Sequence, residues 1–160
     1  MSEVKRISDQ LRRAFEGEAW HGPAVRELLA NVTAEQAAMR PLAAAHTIWE
    51  IVLHIAVWES VVCRRLAEEK IKALPPEQDW PAVGRVSEAA WEKTLEDLER
   101  GHLLLRQAIA RLTDDRLSEA VPGKEYTVYV MVHGVIEHDL YHAGQIALLK
   151  KGLLTCAGAP

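Results

Sequence analysis

Apolar residues recur at steps of three and four along four long stretches of the chain, the period of a helix that buries one face. Alternation with a period of two is nearly absent, so a sheet has little to build on. The first stretch predicts a helix from about Glu3 to Glu16, with Val4, Ile7, Leu11, Ala14 and Phe15 facing inward. Gly17 loosens it, and Gly22-Pro23 breaks the chain before a short helix that runs through Leu29. Thr33, with Gln36 three residues on, has the form of a capping box, and Pro41 closes that turn. A second long helix is expected from about Thr47 to Lys70, with Ile51, His54, Ile55, Trp58, Val61 and Val62 inward. Leu74-Pro75-Pro76 stops it, and residues 74 to 86 form the longest loop. Ser87 caps a third helix to about Leu112, with Trp91, Leu95, Leu98, Leu105 and Ile109 at helical spacing. Thr113-Asp114-Asp115 starts a short turn, and Val121-Pro122-Gly123 breaks the chain again. The fourth helix is expected from about Thr127 to Lys151, with Lys150 and Lys151 against its negative end and Gly152 just beyond.

This pattern predicts an all-α fold in which four helices pack as a bundle, with short extra helices between the first two long ones. The 160 residues fit a single domain spanning 1–160, long enough to bury a core without disulfides or a structural metal. Periodicity leaves the connectivity open.

Formal net charge is -4 and no basic run stands out, which argues against a nucleic-acid partner. Two cysteines, Cys63 and Cys156, do not make a disulfide framework, so a reducing, cytoplasmic setting is expected. Met1 to Gln10 has no apolar core of a signal peptide, and no apolar run approaches the roughly 20 residues of a membrane span. Ile48 to Cys63, the most apolar stretch, is interrupted by Glu50, His54 and Glu59.

Seven histidines carry the chemistry. Four residues turn a helix by about 400°, so His138 and His142 share one face and can converge on one ion. Such a pair also occurs on ordinary surfaces. His54 changes the balance, because it interrupts an otherwise apolar face on a second helix. Three imidazoles suit Zn²⁺ or Ni²⁺, with the remaining positions left for water or substrate. His133 points about 140° away from His138 and is not expected to share the ion. His46 reads as a cap or loop residue, His102 as a surface residue and Tyr141 as packing. Cys63 lies about 180° around the helix from His54, so any thiol nucleophile would come from a cofactor. Cys156 sits in an Ala/Gly-rich tail.

Three segments resemble the DinB/YfiT-like family of proposed metalloenzymes, the damage-inducible family and not the polymerase that shares its name. They are Ala19-Trp20-His21-Gly22-Pro23, the run from His46 to Glu59, and the run from Glu137 to Ile146. The resemblance implies a four-helix bundle of up-down-down-up topology, often dimeric, with metal ligands at His54, His138 and His142. It also implies a small-molecule substrate and, by analogy with thiol-dependent transferases of the family, a low-molecular-weight thiol as a second cofactor.

Two carboxylates are candidates for catalytic proton transfer. Asp139 stands where the zincin motif H-E-x-x-H has its glutamate, although its shorter side chain reads more simply as a supporting or solvent-facing group. Glu50 lies one turn before His54 and reads more simply as a helix-start carboxylate. Trp49 and Trp58 could wall a substrate pocket or belong to the core, and His21 could reach a pocket mouth. Two functions fit: a metal-dependent thiol S-transferase or hydrolase, or a non-catalytic, stress-related metal-binding homodimer. A coordination position open to a pocket favours the first, and a closed shell of protein ligands favours the second.

Overall fold

The computed structural model describes residues 2–157, with side chains through Leu153, and the described residues hold seven helices, a 3₁₀ turn and no named strand. The helices are α1 (Glu3–Glu16), α2 (Val25–Leu29), α3 (Ala34–Ala38), α4 (Ile48–Leu66), α5 (Pro76–Asp79), α6 (Glu88–Ala110) and α7 (Val128–Ala157). The 3₁₀ turn covers Asp115–Ser118. Among these residues no helix is long and apolar enough to cross a membrane.

Local chemistry sets most of the helix starts. Thr33 and Gln36 form the expected capping box, and Thr47 with Glu50 forms another at the head of α4. Ser87 caps α6. The head of α1 is held from afar as well, because both carboxylate oxygens of Asp114 accept backbone N–H groups, from Glu3 and Val4, at 3.0 Å each.

Three features differ from expectation. Helix α4 ends at Leu66 rather than near Lys70, with Glu68 at φ 67°. Beyond it the Arg65 guanidinium donates to the Ile71 carbonyl at 3.1 Å and draws the chain back along the helix. The loop of 74 to 86 contains α5, started by Pro76. Helix α7 does not stop before Gly152 but runs on through residue 157. A Cβ on Gly152 would lie 3.1 Å from the Pro41 Cβ, so glycine there serves close packing rather than termination. Lys150 donates to the Leu28 carbonyl at 2.5 Å and thus satisfies the end of α2, not of α7. The side chain of Cys156 lies outside the described residues.

The long helices pack with α4 against α6 and α7, and α1 against the same two. Their buried faces form two apolar clusters. One gathers Phe15, Ile48, Ile51, Ile55, Trp91, Leu98, Ala143 and Ile146. The other gathers Ile7, Leu11, Val62, Leu105, Ile109, Val132 and Ile136. Polar residues interrupt these apolar faces on α4, α6 and α7: His54, Glu59, His102, His138, Asp139 and His142. All except His138 are buried, and His138 is partly so. A polar belt inside a core is costly unless its groups find partners.

Candidate metal centre

The belt places three imidazoles from two helices together. His138 Nε2 lies 3.1 Å from His54 Nε2 and 3.2 Å from His142 Nε2. The sequence supplies this meeting directly: the four-residue step on α7 stacks two rings, and the apolar sides of α4 press its single histidine against them.

The outer nitrogens decide what the inner ones can do. His54 Nδ1 lies 2.7 Å from the carbonyl oxygen of Asp79, which can only accept, so Nδ1 carries the proton. His142 Nδ1 lies 2.7 Å from Gln145 Oε1 and donates in the same way. Both Nε2 atoms therefore present lone pairs toward His138 Nε2. A single proton on His138 Nε2 can satisfy only one of them. Burial pushes the pKa of His54 down, and it pushes His138 and His142 down to about 4, so all three rings are neutral near pH 7. Converging neutral lone pairs suit a cation. The spacings also match the roughly 3.3 Å between nitrogens each about 2.0–2.1 Å from a tetrahedral Zn²⁺. The donor set thus fits a divalent ion such as Zn²⁺ or Ni²⁺.

The loop carrying α5 supports one side of this site. Asp79 takes the His54 Nδ1–H on its main chain and the Trp58 Nε1–H on Oδ1, both at 2.7 Å. Trp80 stacks on the His54 ring at 3.8 Å between centroids, and on His46 at 3.6 Å. Such partners fix ring orientation and tautomer around a metal.

His138 also lines a cavity of about 310 Å³ together with Trp58, Val62, Arg65, Tyr126, Val130, Met131, Gly134 and Val135. Its walls are largely apolar. The polar exception is Arg65, which donates to the Tyr126 hydroxyl at 3.0 Å and lies over the Trp58 ring.

The other candidate residues lie elsewhere. Trp49 is in the core, with its indole N–H donated to Thr94 at 3.1 Å. Glu50 accepts from the Thr47 backbone and pairs with Arg40, and Arg40 and Thr47 outweigh its burial and hold its carboxyl below the usual range. His21 lines a separate cleft with Trp20, Asp9 and Arg13. Asp139 is fully buried and faces Glu59 and His102 rather than solvent. His102, expected on the surface, is buried, stacked on Phe15 at 3.8 Å and bonded through Nδ1 to Glu59 at 2.7 Å. Burial drives its pKa down to about 3, with Arg106 and Arg26 adding to the effect. Desolvation pushes both Glu59 and Asp139 well above the usual carboxylate range. Tyr141, expected in packing, is mostly exposed.

Sequence reasoning missed Asp79, Trp80 and Gln145. Gln145 was open to discovery, because it sits three residues from His142 on the same helix face. Asp79 and Trp80 reach the site through a loop, where no period reports direction.

No curated protein and no solved structure matches the chain. A family model of the DinB superfamily matches residues 19–146, a span that includes all three histidines. With a match over most of its length, the chain belongs to the DinB superfamily.

Proposed function

We propose that this protein is a metal-dependent enzyme that activates water or a small thiol at His54, His138 and His142. The observation carrying this reading is that one of the three converging imidazoles, His138, also borders an apolar cavity. A divalent ion held there would lower the pKa of a coordinated water or thiol and so supply a nucleophile at neutral pH.

The chain's own residues then have separate tasks. His54, His138 and His142 hold the ion, while Asp79, Trp80 and Gln145 fix the rings. Trp58, Val130, Met131 and Val135 receive an apolar electrophile and keep bulk water off it. Glu50 belongs to the cap of α4 and Asp139 to the buried belt, so the reading gives neither of them contact with substrate. Thiol transfer is favoured over hydrolysis by kinship alone.

We also propose the up-down-down-up order of the four long helices. Helices α4 and α6 start in the cluster containing Trp91 and finish in the one containing Leu105, while α1 and α7 start in the latter. A homodimer in a reducing, cytoplasmic setting completes the proposal. A monomer mass by light scattering at micromolar concentration would contradict the dimer.

The activity is tested by loading the chain with Zn²⁺ or Ni²⁺ and offering chromogenic electrophiles, with and without low-molecular-weight thiols. Turnover that needs the metal and disappears in His138→Ala is expected. No turnover in any metal form would leave the non-catalytic metal-binding dimer as the better account.

A further inference from the structure

A second group of ligating side chains lies in the same belt, on other residues. Glu59 comes from α4, His102 from α6 and Asp139 from α7. All three are buried, and Glu59 and Asp139 have no exposed surface. One ligating atom from each lies within 4.8 Å of the others. Their only mutual hydrogen bond joins His102 Nδ1 to Glu59 Oε1 at 2.7 Å. Glu59 Oε2, His102 Nε2 and both carboxylate oxygens of Asp139 are buried without a hydrogen-bond partner.

Buried polar atoms are nearly always satisfied by protein, water or an ion. Four orphans on three converging side chains mark a place where something binds. Two carboxylates and one imidazole form an acceptor-rich donor set of the kind that holds one divalent cation. Oxygen-rich ligation favours a harder ion than three imidazoles do. The ring of Phe15, stacked on His102, holds that imidazole in place.

We infer that Glu59, His102 and Asp139 form a second divalent-cation site, suited to a harder ion such as Mn²⁺, that ties α4, α6 and α7 together inside the core. It is separate from the three-histidine site in ligands and preference, although α4 and α7 serve both.

The test uses full-length His54→Ala/His142→Ala protein, which lacks the first site and leaves this cluster untouched. The chain is stripped with chelator and refolded with Mn²⁺, since a site this enclosed fills during folding. Mn²⁺ retained after gel filtration is counted by elemental analysis, and free Mn²⁺ is followed by electron paramagnetic resonance. One Mn²⁺ per chain is expected, with a higher melting temperature than the metal-free protein. The same chain carrying Glu59→Gln and Asp139→Asn should lose that ion. Wild-type protein given both Mn²⁺ and Zn²⁺ should hold two ions per chain. Absence of retained Mn²⁺ in folded His54→Ala/His142→Ala protein, with an unmoved melting temperature, would overturn the proposal. Equal retention after the Glu59→Gln and Asp139→Asn changes would overturn it too. If those changes prevent folding, the first variant alone still decides.

Discussion

The Asp79 carbonyl oxygen lies 2.7 Å from His54 Nδ1, so the loop between α4 and α6 sets which nitrogen of that imidazole faces the other two. Trp80, the next residue, lies flat against the same ring. The loop is thus part of the site, not only a connection. Replacing Trp80 by Ala should leave the helical content unchanged and weaken Zn²⁺ or Ni²⁺ binding about 10- to 100-fold, the usual cost of losing a ligand's support. Calorimetric titration beside circular dichroism measures both.

Gln145 plays the matching part for His142, accepting its Nδ1–H at 2.7 Å. Gln145→Ala should also lower metal affinity by about 10-fold or more, and Gln145→Glu should restore most of it by keeping an acceptor there. Competition against a chromogenic chelator reads the difference. Equal affinities for the three proteins would remove Gln145 from the account.

Gly134 lines the cavity, and a Cβ added to it would meet nothing within 4 Å. Gly134→Leu should therefore narrow the cavity, its Cβ entering open space. Removing a helical glycine should stabilise the fold by up to about 1 kcal/mol. Metal content should match wild type while turnover of apolar electrophiles falls. Undiminished turnover would show that substrate binds elsewhere.

The sequence carried much of this architecture and stopped at identifiable places. The bounds of α1, the Thr33–Gln36 capping box and the inward faces of the long helices were legible, because helical period and cap chemistry are local. So was the meeting of His54 with His138 and His142, which follows from one spacing and one interruption of an apolar face. The true place of His102 was not legible: its partner Glu59 is 43 residues away, and a buried pair of this kind looks like two surface residues in one dimension. The extension of α7 past Gly152 was missed for a similar reason, since the constraint on that glycine comes from distant Pro41.

Cys63 offers a check on burial near the belt. Desolvation first, and Glu59 second, push its thiol up to about 11. Because the folded value lies above the unfolded one, burial of the neutral thiol favours the fold up to about pH 9. That contribution fades as pH rises through about 11. In a Cys156→Ser background, Cys63 should react with a disulfide reagent at pH 8 about 100-fold more slowly than the same residue in the denatured chain. Comparable rates would mean that the thiol is not shielded as described.

The central claim is most directly tested by metal content. Chelator-stripped wild-type chain, incubated with one equivalent of Zn²⁺ or Ni²⁺ and desalted, should retain it by elemental analysis. Folded His138→Ala and His54→Ala proteins treated alike should retain little. Retention undiminished in either variant would contradict a shared ion among the three imidazoles.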